Sequence, residues 1–158
     1  MTDFHDDEYE RRFAGVAKIY GDEAFHHYEQ SHVMVIGIGG VGSWAVEALA
    51  RMGIAQLTLV DMDVLAASNI NRQLPALSST LGQEKAAIMA ERCRQINPRI
   101  QVNVIDDFLS ADNVADILAD QPDVVLDCID DVKAKLALML HCRFNKICLL
   151  YTSPSPRD

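Results

Sequence analysis

Three glycines, Gly37, Gly39 and Gly42, stand in G-x-G-x-x-G spacing with Gly40 between them, and Asp61 follows about twenty residues later. Glycines without a Cβ let a backbone turn tightly and approach an anion, and the free N–H groups of a following helix complete the cradle. An acid at the distance of Asp61 is placed to meet a ribose hydroxyl. Further on stand Asp63, then Asn69, Arg72 and Gln73 in one short run, then Lys85 and, near a strand end, Asp130. Lys85 falls in the first turn of an expected helix, where a cation opposes the dipole, so an anionic ligand or neighbour is expected beside it; a solvated surface lysine is the plain alternative. Asp130 belongs to Asp127-Cys-Ile-Asp-Asp131, at the carboxyl edge of a strand where open α/β sheets bind ligands; helix capping by Asp130 or Asp131 competes with that reading.

These residues need a frame. Val33 to Ile36 is a continuous apolar run, read as a buried strand, and Trp44, Ala45, Ala48, Leu49 and Met52 recur at helical steps to a stop near Gly53. Gln56 to Val60 gives a second strand. Ser68 reads as the N-cap of a short turn that puts Asn69, Arg72 and Gln73 on one face. A helix over 83–96 ends at Asn97-Pro98, a third strand spans 100–105, a helix 112–119, a fourth strand 123–127, a helix 132–145 and a fifth strand 147–151. Alternation with short links predicts an α/β fold: a doubly wound, mainly parallel, Rossmann-like sheet, cut off after about five strands. Residues 1–8 read as a frayed acidic start, 10–21 as a segment outside the sheet units that holds Arg11 and Arg12, and 22–30 as a helix capped by Asp22.

Bulk properties narrow the function. A net charge of −9 over 158 residues excludes a surface that grips nucleic acid by bulk electrostatics, so a polynucleotide partner needs a local basic patch. The four cysteines include no C-x-x-C pair; Cys128 and Cys148 lie in apolar runs and read as buried free thiols. No apolar run is long enough for a membrane helix, and the acidic start is unlike a signal peptide, so a cytoplasmic location is expected.

Taken together, the glycine loop, Asp61-x-Asp63, Asn69-x-x-Arg72-Gln73, Lys85 and Asp130 resemble the ubiquitin-activating-type adenylyltransferases over residues 10 to about 147. Arg12-Phe-Ala-Gly-Val-Ala-Lys-Ile-Tyr-Gly21, the Gly-Val-Gly-Ser-Trp44 run, Arg94-Gln-Ile-Asn-Pro98 and Cys142-Arg-Phe-Asn-Lys-Ile147 are similar to the tRNA threonylcarbamoyladenosine dehydratase branch. The resemblance implies ATP-dependent adenylation of a carboxylate, with ring closure of threonylcarbamoyladenosine beside the tRNA anticodon as the specific reaction. It implies that Gly37, Gly39, Gly40, Gly42, Asp61, Asp63, Asn69, Arg72, Gln73 and Lys85 bind ATP, and that Asp130 binds Mg²⁺. It also implies that Arg12, Arg72, Lys85 and Asp130 serve catalysis, Arg12 as a finger reaching the other subunit of a homodimer. A sulfur-relay protein is a further implied partner.

Two neighbouring readings share the pocket: an adenylyltransferase for a ubiquitin-like sulfur carrier, and an NAD-dependent oxidoreductase, for which Arg72 and Lys85 have no evident use. A non-enzymatic nucleotide sensor is a third. Family members continue past Ile147 into a glycine-rich turn and a second half, whereas this chain reads Cys148-Leu-Leu-Tyr-Thr-Ser-Pro-Ser-Pro-Arg-Asp158. The division expected is therefore 1–21 with the arginine, 22–151 as an incomplete adenylation domain with little activity of its own, and 152–158 as a non-native, disordered tail.

Overall fold

The computed structural model describes residues 4–151. Two helices, α1 (Phe4–Tyr20) and α2 (Asp22–Tyr28), precede an alternating series: β1 (His32–Ile36), α3 (Gly42–Arg51), β2 (Gln56–Val60), a 3-10 turn (Ala67–Asn69), α4 (Lys85–Ile96), β3 (Gln101–Ile105), α5 (Val114–Ile117), β4 (Val124–Asp127), α6 (Val132–Asn145) and β5 (Cys148–Tyr151). The strands form one parallel sheet in the order β3-β2-β1-β4-β5. The order reverses between β1 and β4, the switch point at which such sheets open a crevice beyond the strand carboxyl ends.

Side chains alternate across β1. Val33 and Val35 pack with Val46, Ala50, Leu57, Leu59, Met89 and Cys93 on the α3–α4 face. Met34 and Ile36 pack with Leu118, Val125, Ala134, Leu138 and Cys142 on the α5–α6 face. A central strand buried on both faces is read from sequence as an unbroken apolar run.

Several expectations shift. Helix α1 begins at Phe4, so only residues 1–3 of the expected frayed start lie outside the described residues, as does the 152–158 tail. Gly21, at φ +88°, and not Asp22, caps α2. The α1–α2 pair is packed onto the sheet domain: the rings of Phe13 and Phe25 stack beside Gly53, where an added Cβ would stand 2.9 Å from Phe25. Cys148 is exposed, because β5 is an edge strand, whereas Cys93 and Cys142 are the fully buried thiols. No described helix is long and apolar enough to cross a membrane.

An ionic clamp ties α3 to α4. Glu47 accepts from Arg92 Nε at 2.6 Å, from Arg92 Nη2 at 2.9 Å and from Arg51 Nε at 2.8 Å. The hydrogen bonds from Arg92 hold its carboxyl below the usual glutamate range, against the opposing effect of burial. A carboxylate depressed in the folded state contributes stability that is present above its unfolded value and is lost as pH falls through the folded one. Glu47→Gln should therefore lower the melting temperature at pH 7 and flatten the loss of stability as pH falls below the ordinary glutamate range. Parallel thermal-denaturation profiles for variant and parent would remove the clamp from the account of acid stability.

Candidate functional site

Where β1 ends, Gly37 takes φ +88°, a value side-chain-bearing residues rarely adopt, and its N–H donates to the carbonyl of Val60. The chain then turns into α3 so tightly that Gly42 lies against the Gly37 carbonyl. Asp61, at the end of β2, locks this loop. One carboxylate oxygen accepts from the Ile38 amide at 2.6 Å, and the other accepts from the Asp63 amide at 2.8 Å.

Asn69, Arg72 and Gln73 reach the same place from the 3-10 turn. Ser68 is inside that turn and does not cap it; the Asn69 side chain does the local work, its Oδ1 accepting from the Ala66 amide at 2.8 Å. The Asn69 carbonyl then accepts from the amides of both Arg72 and Gln73. Arg72 lays its aliphatic stem over Gly40, where an added Cβ would stand 3.4 Å from its Cγ. Its Nη1 donates to the Ser68 carbonyl at 2.9 Å and to Asn71 Oδ1 at 3.0 Å. Arg72 Nε and Gln73 Oε1 are buried with no hydrogen-bond partner, and both residues line the cleft. Buried polar atoms left this way are costly, so they point to a ligand.

Helix α4 starts at Lys85, two residues later than expected. Its side chain is 7% exposed, and its ammonium lies 2.8 Å from Asp63 Oδ2, the anionic neighbour expected for a cation in a helix's first turn. Across the cleft, Asp131 and not Asp130 caps α6, accepting from the Ala134 amide at 2.7 Å. Asp127 is buried and paired with Lys135 at 2.9 Å. Asp130 is exposed on the cleft wall, as are Asp63, Asp107 and Asp131.

These residues line a cleft of about 710 Å³ at the β1/β4 switch point. It takes in Gly37, Gly39, Gly40, Asp61, Asp63, Asn69, Arg72, Gln73, Lys85 and Asp130; Gly42 shapes the loop from behind. Arg12 is not brought there. From α1 its Nη1 donates to the carbonyls of Gln95 and Ile96, both at 2.9 Å, and its Nη2 pairs with Glu8 at 2.6 Å. Within this chain Arg12 thereby satisfies the carbonyl end of α4.

The sequence reading missed the far wall. Asp107, Phe108, Leu109 and Ser110 line it, held by Asn113, whose Oδ1 accepts from the Ser110 amide at 2.7 Å and whose Nδ2 donates to the Phe108 carbonyl at 2.8 Å. Lys133, early in α6, also lines the cleft. The available signal was position alone, since both segments follow strand carboxyl ends. Cys128 lines the cleft as well, and burial pushes its thiol up to about 11, so it stays protonated at neutral pH and is a poor nucleophile. Among the described residues no group of three His, Cys, Asp or Glu side chains could hold a metal ion.

A parallel sheet of this order, with a glycine loop and unpartnered polar atoms at its switch point, defines a nucleotide-binding α/β protein of the Rossmann kind. The chain belongs to the ThiF family, whose model matches residues 9–156. It is 52% identical to the tRNA threonylcarbamoyladenosine dehydratase of Haemophilus influenzae over 141 residues, covering 89% of this chain and 54% of that protein. It is 34% identical to the molybdopterin-synthase adenylyltransferase of Escherichia coli over 130 residues, covering 82% of this chain and 51% of that protein. The crystal structure of the E. coli tRNA N6-threonylcarbamoyladenosine dehydratase in complex with ATP matches with a TM-score of 0.90 at 50% identity, covering 92% of this chain and 60% of that one. The chain thus spans about half the length of the curated relatives it matches.

Proposed function

We propose that this chain is the ATP-binding portion of an enzyme that adenylates a carboxylate, the carboxylate being that of threonylcarbamoyladenosine in tRNA. The observation that carries the reading is the cleft, where Arg72 Nε and Gln73 Oε1 stand buried without partners beside a glycine loop and the Lys85 ammonium. A carboxylate is a poor electrophile until it acquires a good leaving group. Its oxygen attacks the α-phosphate of ATP and pyrophosphate leaves; a nitrogen of the same side chain then attacks the acyl carbon, closing a ring as AMP departs. Such chemistry is mostly positioning and charge neutralisation. The glycine loop, Asn69, Arg72, Gln73 and Lys85 receive the phosphates, Asp61 meets the ribose with its remaining lone pairs, and Phe108 and Leu109 offer the base an apolar wall.

Asp130 is the residue that would hold Mg²⁺. Its exposed carboxylate on the cleft wall fits an ion that prefers one or two carboxylates plus phosphate oxygens and arrives with the nucleotide. Such an ion would neutralise charge on the phosphate oxygens. On this reading tRNA is the substrate and the enzyme works in the cytoplasm.

Calorimetric titration tests the pocket: saturable binding of ATP is expected, and binding of NADH without competition by ATP would overturn the assignment. Incubation with ATP and modified tRNA, followed by nucleoside analysis, tests the reaction, with cyclised nucleoside and AMP as the expected products. Adenylation of a sulfur-carrier protein with unchanged tRNA would transfer the chain to the activity of its 34%-identical relative.

A further inference from the structure

The contacts within the 68–73 segment hold Arg72 and Gln73 to their own loop and do not tie that loop to the glycine loop. Both lie in an irregular segment, beyond the short 3-10 turn, with Arg72 Nε and Gln73 Oε1 unpartnered. The first turn of α3 reaches across to them. Trp44 Nε1 donates to the Arg72 carbonyl at 3.0 Å. Ser43 Oγ accepts from the Leu74 amide at 3.2 Å and donates to the Gly39 carbonyl at 2.6 Å. The Arg72 carbonyl belongs to the peptide before Gln73, and the Leu74 amide belongs to the peptide after it. Gln73 is therefore fixed on both sides by two consecutive residues of α3, and one of these also grips the glycine loop.

We propose that Ser43 and Trp44 form a two-point clamp that sets Arg72 and Gln73 over the glycine loop, with Trp44 as a positioning residue for the phosphate-binding face. This rests on the nucleotide reading of the cleft and deepens it. The indole is the informative half. Trp44 is 53% exposed, so core packing does not account for a tryptophan there, and its indole N–H donates to the Arg72 carbonyl. Ser43, fully buried, couples the two loops: a shift of the glycine backbone at Gly39 is passed to Leu74 through one hydroxyl. Nucleotide phosphates entering beside Gly39 and Gly40 would meet Arg72 and Gln73 already placed, and prepaid ordering of this kind raises affinity.

The test is Trp44→Phe, which keeps an exposed ring and removes only the N–H. Calorimetry would measure ATP and, separately, adenosine, which shares base and ribose but lacks phosphates. The expected result is a loss of ATP affinity of about threefold to tenfold, the scale of one hydrogen bond. Adenosine affinity should stay within about twofold, since that end of the cleft makes no use of the bond. Ser43→Ala should reproduce the split. Unchanged ATP affinity in Trp44→Phe, or equal losses for both ligands, would overturn the clamp. Failure of the unsubstituted protein to bind ATP at all would instead overturn the nucleotide reading, and the clamp with it.

Discussion

Gly42→Ala is expected to abolish nucleotide binding and to lower stability by about 3 kcal/mol or more. The added Cβ would fall 1.8 Å from the Gly37 carbonyl oxygen and 2.9 Å from its carbon. Both atoms are backbone, so no side-chain rotation relieves the clash. Gly37 is itself held: its N–H donates to the Val60 carbonyl at 2.9 Å, and its backbone packs so closely on Cys128 that a Cβ there would stand 2.9 Å from the Cys128 carbonyl oxygen. Relief requires the turn to open, which breaks the Ile38 hydrogen bond to Asp61 and separates the loop from β2. Gly40→Ala is the informative companion. Its Cβ would rest on the Arg72 stem in ordinary contact, 3.4 Å from Cγ, in an ordinary backbone conformation, so the fold should hold and ATP affinity should stay within about twofold. Thermal denaturation and calorimetry on the two variants separate the effects. A Gly42→Ala protein that melts with its parent would mean that the turn is built differently.

The features that reading alone reached are those set by local chemistry. The unbroken apolar run of β1, the glycine spacing and the acid after β2 each depend on residues close in sequence, and together they locate the crevice before any tertiary contact is known. Arg12 shows where that stops. Its partners are the carbonyls of Gln95 and Ile96, more than eighty residues away, and no feature near Arg12 announces them. Cys148 fails for a related reason: an apolar run reads as buried, but edge or centre is decided by strand order. In the 66–69 turn the N-cap position falls on Ala66, two residues before Ser68, and the Asn69 side chain reaches back to the Ala66 amide. The Asn113 hub that builds the far wall was invisible because its hydrogen bonds serve an irregular loop, which has no periodicity to read.

Lys85→Met should leave the fold as stable as before, or more so, and reduce ATP affinity by about thirtyfold to a hundredfold. The two halves of that expectation have one cause. The Lys85 side chain is 7% exposed, whereas its partner Asp63 is 65% exposed. A carboxylate largely in water returns little of what it costs to bury an ammonium. Removing one member of a buried pair is usually severe because the other charge is stranded, but here the remaining charge is solvated. Methionine fills the space of the lysine stem, so no cavity opens. The backbone link persists too, since the Lys85 amide still donates to the Asp63 carbonyl. What the variant lacks is a cation held ready beside the phosphate-binding loop, and charge-assisted hydrogen bonds of that kind are among the strongest available to an anion. Adenosine binding should be untouched, and the salt dependence of ATP binding should weaken relative to the parent. Retention of ATP affinity within threefold would reduce Lys85 to a structural partner of Asp63 and move the phosphate site toward Arg72 and Lys133.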